Sequence, residues 1–372
     1  MSVIINLKGF DIAMLKRRFT REIAVGSVRI GGDNPISIQS MTNTDTRDRQ
    51  ATLQQIQQLT ASGCEIVRLA VPDQAAADNL AYLVAQANVP LVADIHFDYR
   101  LALAAIAAGI AKLRINPGNI GGPERVALVA TRAKERGIPI RIGVNAGSLE
   151  PDLLAKYQGP TPQAMVESAL RHVQLLEDQG FADIVISLKA SSVPNTIEAY
   201  QQLAGQCDYP LHIGITEAGT RLKGSLRSAV GLGILLWQGL GDTLRVSLTG
   251  DPVHEVEVGR EILQALNLRQ FGPTVVSCPT CGRTQINLEA LATQVEALVA
   301  GMEQPWRIAV MGCAVNGPGE AREADLGVAG GKGEGLIFRH GQIIRKVPEA
   351  EIVTALQEEL AKMVKERQKA EG

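Results

Sequence analysis

The stretch PIRIGVNAG, Pro139–Gly147, decides the fold. It follows a turn-forming Gly-Ile, alternates Ile140, Ile142 and Val144 with Arg141, Gly143 and Asn145, and ends at a glycine. Alternation of period two marks a strand with two unlike faces, one for packing on helices and one polar. In a barrel of such strands the polar face points into the lumen, and the C-terminal strand ends carry the chemistry.

Seven further stretches repeat the pattern, namely PISIQSM from Pro35, EIVRLAV from Glu65, PLVADIHF from Pro90, KLRINPG from Lys112, DIVISLKAS from Asp183, PLHIGITEAG from Pro210 and TLRVSLTG from Thr243. Each is followed by a helical pattern rich in Ala, Leu, Glu and Gln, and glycines in SGC, AAG and DQG close the preceding helices. Eight strand-plus-helix units predict an α/β fold, a TIM barrel closing near residue 267, with a doubly wound sheet as the alternative. The expected division is an N-terminal extension and hairpin over 1–30, the barrel over 31–267, and a smaller α+β domain over 268–372. That last part should hold a helix from Asn287 to Ala300, the strand RIAVMG from Arg307, the hairpin LIFRHGQIIRKV and a final helix from Pro348. Its VAGGKGEG lacks the GKS or GKT of a phosphate loop and reads as a hairpin turn.

Composition sets limits on partners. With 372 residues, 45% hydrophobic, 20% charged and only 3% aromatic, Val, Ile, Leu and Ala must fill the core. A net charge of -2 gives no global basic field, so nonspecific nucleic-acid or anionic-membrane binding has no electrostatic support. No apolar run approaches the ~20 residues needed to span a bilayer. Five cysteines without a secretory signal argue for reduced thiols and a cytoplasmic location.

Strand parity places the candidate binding residues. Arg114 shares a face with Asn116, Arg141 with Asn145, Asp94 with His96, Ser187 with Lys189 and Arg245 with Ser247. Arg68, Arg114, Arg141, Lys189 and Arg245 should converge at one end of the lumen, facing the carboxylates Asp94 and Glu217, with Arg141–Glu217 as a candidate ion pair. So many cations in a partly desolvated space call for an anion, a phosphate or diphosphate held by arginine forks and by the hydroxyls of Thr216 and Ser247. His212 and His172 read as core or surface residues, and His96 as the better candidate for proton transfer or phosphate binding.

Cys278 and Cys281 form a CxxC, and Cys313 follows in MGCAVNGPGEA. An iron-sulfur cluster with one non-thiolate corner and a structural zinc completed by His340 or a carboxylate both fit this spacing. Glu320, seven residues after Cys313 across a turn-forming NGPG, is a candidate fourth ligand. Cys64 and Cys207 lie at helix ends in the barrel repeats and read as inert packing residues.

SIQSMTNT, VPLVADIHFDYRLAL, LRINPGNIGG, IPIRIGVNAGSLE, HIGITEAG, GDTLRVSLTGDPVHEV, CPTCGR and GCAVNGPGEA together resemble the 4-hydroxy-3-methylbut-2-enyl diphosphate synthase family of isoprenoid precursor synthesis. The resemblance implies a four-iron four-sulfur (4Fe-4S) cluster on Cys278, Cys281, Cys313 and Glu320. It also implies reductive ring opening of 2-C-methyl-D-erythritol 2,4-cyclodiphosphate in the barrel, with flavodoxin or ferredoxin as electron donor. Glu217 and Glu320 would be catalytic. Arg68, Arg114, Arg141, Lys189, Arg245 and Ser247 would hold the diphosphate, with Asp94, His96, Asn116, Asn145 and Thr216 as further contacts. A head-to-tail homodimer is implied, one subunit's small domain capping its partner's barrel. The roughly 30 residues between the last barrel strand and Cys278 match the compact bacterial form rather than the longer plant type. Two rival readings stand beside it: a barrel transferase on a phosphorylated or pterin-like substrate with a structural zinc, and a non-enzymatic iron-sulfur sensor. The absence of CxxxCxxC disfavours a radical enzyme using S-adenosylmethionine.

Overall fold

Two units divide the chain, the first ending at Arg269 and the second beginning at Gln270. The computed structural model describes residues 16–313 and 322–371.

Among the described residues, the first element of the first unit is an antiparallel hairpin, β1 (Ile23–Val25) and β2 (Val28–Ile30), turning through Gly26 at a φ of 57°. Its Ile23, Val25 and Ile30 form one apolar cluster with Ile66, Val92 and Val185, lumen-side residues near the starts of three barrel strands. The hairpin therefore closes the N-terminal end of the barrel, and each aliphatic side chain so buried contributes about 1.5–3 kcal/mol.

The barrel strands are β3 (Ser37–Met41), β4 (Ile66–Ala70), β5 (Leu91–Asp94), β6 (Lys112–Ile115), β7 (Ile140–Asn145), β8 (Ile184–Lys189), β9 (His212–Ile213) and β10 (Thr243–Leu244). They pair in parallel in the order β8-β7-β6-β5-β4-β3-β10-β9. A parallel bridge between Ile186 and Leu211 joins the two ends of that order and completes the ring. The last two strands are shorter than the sequence pattern predicts. At Gly214 the backbone lies so close to β10 that a Cβ would stand 2.6 Å from the Arg245 carbonyl oxygen, although the Arg245 N–H still reaches Ile213 O at 3.0 Å.

Outer helices cover the barrel through their apolar faces. Helix Pro162–Glu177, for example, is capped by the Thr161 hydroxyl, which accepts from Ala164 N–H at 3.2 Å, and buries Met165, Ala169, Val173 and Leu176. Helix Arg221–Trp237 differs. It buries Leu232, Leu235 and Leu236, while Leu222, Leu226, Val230, Ile234 and Trp237 form an exposed stripe at near-helical spacing along its other side.

The second unit holds a five-stranded sheet in the order β11-β12-β13-β14-β15: β11 (Thr274–Ser277), β12 (Arg307–Met311), β13 (Leu326–Gly331), β14 (Glu334–Arg339) and β15 (Gln342–Pro348). The first three run parallel and the last three antiparallel. Helices Leu288–Val299 and Ile352–Glu371 supply Leu291, Val295, Leu356 and Leu360 to a core with Ile308, Val310 and Val328. The VAGGKGEG stretch is the β13–β14 hairpin, turning through Gly333 at a φ of 70°.

Candidate active site

Following the ladder registers around the barrel stacks the lumen side chains in tiers drawn from alternate strands. Gln39, Val92, Arg141 and His212 share one tier; Arg68, Arg114, Ser187 and Arg245 share the next toward the C-terminal ends. The cations expected from strand parity thus all face the lumen, but their depths differ.

Asp94, 6% exposed, is the first anchor. Its Oδ1 lies 3.2 Å from Arg114 Nη1 and its Oδ2 3.7 Å from Arg68 Nε. Burial alone would raise its pKa, yet Arg68, the His96 hydrogen bond and Arg114 together hold the carboxyl well below the usual aspartate range. Burial draws the Arg68 guanidinium down to about 10, with Asp94 opposing it and Arg245 and Arg114 adding to it. Arg114 Nη1 also stands 3.3 Å from the ring nitrogens of the exposed His96, and its Nη2 donates to Gly143 O at 2.7 Å. Asn116 Oδ1 accepts from Gly143 N–H at 3.0 Å, so two expected substrate contacts also grip the backbone of β7.

Gly143 is a requirement of this cluster. A Cβ there would lie 2.2 Å from Arg114 Nε. Gly214 makes the matching space for Lys189, whose Nζ would be 2.8 Å from a Cβ at that position. Lys189 folds into the lumen, where Nζ lies 3.3 Å from His212 Nε2. His212, which the sequence pattern left as a core or surface residue, is therefore core, but it belongs to the polar lumen. His172 is buried too, tied to Glu150 at 3.0 Å and to Gly118 N–H at 3.1 Å, and its role is structural.

Arg245 meets a carboxylate that parity did not reveal. Glu255, on helix Val253–Ala265 and 3% exposed, accepts from Arg245 Nε at 3.1 Å and Nη2 at 3.0 Å, from Ser40 Oγ at 2.8 Å and from Leu248 N–H at 3.0 Å. The anion expected to balance the cations was Glu217, which instead stands exposed after β9 at a φ of 52°, and no Arg141–Glu217 pair forms. Asn145, Thr216 and Ser247 lie half-buried at the strand ends.

Positive charge without a partner is concentrated lower down. Arg141, 1% exposed, has no hydrogen-bond partner at Nε or Nη1, and Lys112, fully buried, has none at Nζ. Both atoms of the Gln39 amide are likewise buried and unpaired. Burial, and after it the neighbouring cations, push Lys112, Arg141 and Lys189 well below their ordinary values. Lys112 and Gln39 carry lumen parity in KLRIN and SIQSM, so that rule could have found them; Glu255 sits in a helical first turn, where only the fold reveals its direction. Six lumen cations thus face two carboxylates, a deficit that an anionic ligand would relieve.

In the second unit all three motif thiols are free, as are Cys64 and Cys207. Cys278 follows β11, and its Sγ accepts from Gly312 N–H at 3.2 Å. Cys313 is buried and follows β12, the neighbour of β11. Cys281 is exposed, and its thiol is drawn below the ordinary value by the Arg283 backbone N–H and then by the Arg283 charge. Among the described residues, no three His, Cys, Asp or Glu side chains gather closely enough to hold a single metal ion. His340, a candidate zinc ligand, lies 3.9 Å from Asp325. Glu320 lies outside the described residues. Cys64 is buried with its pKa pushed up to about 12, consistent with inert packing.

Comparison with known proteins matches the GcpE TIM-barrel domain to residues 20–260 and the GcpE protein C-terminal domain to residues 274–362. The 4-hydroxy-3-methylbut-2-en-1-yl diphosphate synthase (flavodoxin) of Geobacter sulfurreducens is 63% identical over 348 residues, covering 94% of this chain and 99% of that one. The protein of the same name from Maridesulfovibrio salexigens is 64% identical over 334 residues, covering 90% and 93%. Among solved structures, the N-acetylneuraminic acid synthetase of Leptospira borgpetersenii gives a TM-score of 0.50 at 12% identity, over 68% of this chain and 90% of that chain, a likeness of fold alone. With both GcpE domains in order and such identity over nearly its whole length, the chain belongs to the 4-hydroxy-3-methylbut-2-en-1-yl diphosphate synthase family.

Proposed function

We propose that the protein converts 2-C-methyl-D-erythritol 2,4-cyclodiphosphate to 4-hydroxy-3-methylbut-2-enyl diphosphate in isoprenoid precursor synthesis, with reduced flavodoxin as electron donor and a 4Fe-4S cluster as cofactor. One ring C–O bond to phosphate breaks and one hydroxyl leaves as water, with uptake of two electrons and the balancing protons. The observation that carries this reading is the unpaired positive charge of the barrel lumen, with Arg141 lacking any partner atom at its buried Nε and Nη1. A diphosphate supplies what it lacks.

Cys278, Cys281 and Cys313, with Glu320, would hold the cluster. The donor set fits: the thiols are free, one accepts a backbone N–H, and another is already biased toward thiolate. When bound, the cluster supplies single electrons and a Lewis-acidic iron. The chain's own part is positional. Arg68 and Arg114, braced by Asp94, and Arg245, braced by Glu255, present fixed guanidinium faces to the diphosphate, with Arg141 and Lys189 beneath and Asn116, Asn145, Thr216 and Ser247 bordering the site. Glu217, exposed after β9, gives a proton to the departing hydroxyl, and His96 contacts a phosphoryl oxygen.

We further propose a head-to-tail homodimer. The apolar stripe of helix Arg221–Trp237 supports self-association, because water-exposed aliphatics in a row gain by meeting their own copies. Free thiols throughout suit a reducing cytoplasm.

Anaerobic purification followed by iron, sulfide and zinc analysis and a turnover assay tests the function. Iron and sulfide near four each per chain, with reductant-dependent opening of the cyclodiphosphate, are expected by the cluster stoichiometry. Stoichiometric zinc without iron, or activity without reductant, would favour the transferase reading instead.

A further inference from the structure

We propose that His212 is a positioning residue for Lys189: a neutral imidazole in one fixed tautomer that holds the lysine head inside the lumen, where it meets a phosphoryl oxygen of the substrate. This rests on the diphosphate reading above. Neither side chain has freedom to do otherwise. His212 and Thr243 are fully buried and Lys189 is 6% exposed. His212 Nε2 lies 3.3 Å from Lys189 Nζ, and its Nδ1 lies 2.7 Å from Thr243 Oγ1. Among the described residues, Nε2 is the hydrogen-bond partner of the lysine head.

The tautomer follows from hydrogen-bonding capacity. With the lysine as an ammonium, the state that a phosphoryl anion favours, its three donors and no acceptor require Nε2 to offer its lone pair, so the ring proton sits on Nδ1, donated to the threonine hydroxyl. A second proton on the ring is opposed from every side. Burial, and after it the positive charges of Arg141 on β7, Lys189 on β8, Lys112 on β6 and Arg68 on β4, keep the imidazole far below its ordinary value. In the ligand-free lumen the same surroundings press Lys189 toward the neutral amine. A phosphoryl anion alongside reverses that pressure, and the ammonium keeps two N–H groups for the ligand once Nε2 has taken one. Gly214 completes the device. A Cβ there would meet Nζ at 2.8 Å and Cε at 3.2 Å, so the lysine reaches its place only past a glycine.

Steady-state kinetics with the cyclodiphosphate on the cluster-loaded enzyme test this. Turnover by the unaltered enzyme comes first; without it the diphosphate reading itself falls, whatever the variants do. Given turnover, His212→Gln, whose Oε1 reaches the place of Nε2, should keep KM within about threefold of the unaltered value, since the hydrogen bond to the charged group survives. His212→Asn, whose polar group reaches only the place of Nδ1, and His212→Leu should raise KM by about tenfold or more, the usual cost of losing such a bond, with kcat less affected. In a Lys189→Met background the same changes should have no further effect on KM. Equal KM for His212→Asn and His212→Gln, or effects that add to Lys189→Met, would overturn the proposal. Should the Asn and Leu variants fail to fold by circular dichroism, Thr243→Val decides: it keeps the ring but leaves the Nδ1 proton without an acceptor, which disfavours the tautomer that Lys189 requires. A KM raised about threefold or more is expected, and an unchanged KM overturns the assignment.

Discussion

Removal of the Glu255 carboxylate should expose how much of the barrel's stability is invested in aiming one arginine. Glu255→Ala takes away all four bonds that the carboxylate accepts, leaving Arg245, whose side chain is only 17% exposed, without a counter-charge, Leu248 N–H without an acceptor and Ser40 Oγ with only its 3.5 Å contact to Pro252 O. Breaking a buried ion pair from one side costs about 3–5 kcal/mol, because the surviving charge stays desolvated. In a domain of this size about 1 kcal/mol shifts the melting temperature by roughly 2–4 °C, so the barrel transition should fall by roughly 6–20 °C. Scanning calorimetry of Glu255→Ala, Arg245→Ala and the double variant gives the pairwise coupling. If Arg245 is the chief beneficiary, Arg245→Ala should recover part of the loss, with a coupling of about 2 kcal/mol or more. A coupling below about 0.5 kcal/mol would refute the reasoning, since the two groups would then contribute independently.

Other perturbations follow from the same lumen. Gly143→Ala places a methyl where Arg114 Nε lies 2.2 Å away, so the guanidinium must leave Asp94; kcat/KM should fall by about 10–100-fold, the value of one charge-assisted bond, in a steady-state assay. Lys112→Met keeps length but removes the buried, unpartnered amine nitrogen, and urea unfolding should show a gain of about 1–3 kcal/mol rather than a loss. Asp94 has a depressed folded-state pKa, so its contribution is fully present above the unfolded value of about 3.9 and is lost as pH falls toward the folded value; Asp94→Asn should flatten the acid limb of a stability-versus-pH curve. In protein stripped of metal, Cys281 should be alkylated at lower pH than Cys64, as peptide mapping of iodoacetamide-treated samples would show.

The alternation in PIRIGVNAG and its seven counterparts made the barrel legible, because a period of two in short segments separated by helices has few other solutions. It also placed Arg68, Arg114, Arg141, Lys189 and Arg245 on the inward side. What it could not convey is depth. Lys189 and Ser247 belong near the strand ends by position, yet the lysine doubles back to His212 through the space left by Gly214, a path set by the neighbouring strand rather than by its own. Nor could it name the counter-charges. Glu217 follows a strand and looked the natural partner for Arg141, whereas Glu255 arrives from a helix ten positions beyond Arg245, and only the packing of that helix turns it inward. The cysteine spacing allowed both zinc and an iron-sulfur cluster, and local geometry among the described residues does not separate them, so metal and sulfide analysis does.

The hairpin of Ile23–Val25 and Val28–Ile30 makes the barrel a cul-de-sac. On the proposed function, reactant and product share the mouth at the C-terminal strand ends, so a spent molecule must back out before a fresh one advances. A compound wedged in that mouth would then compete with the reactant, and slow departure of the product would throttle the proposed cycle.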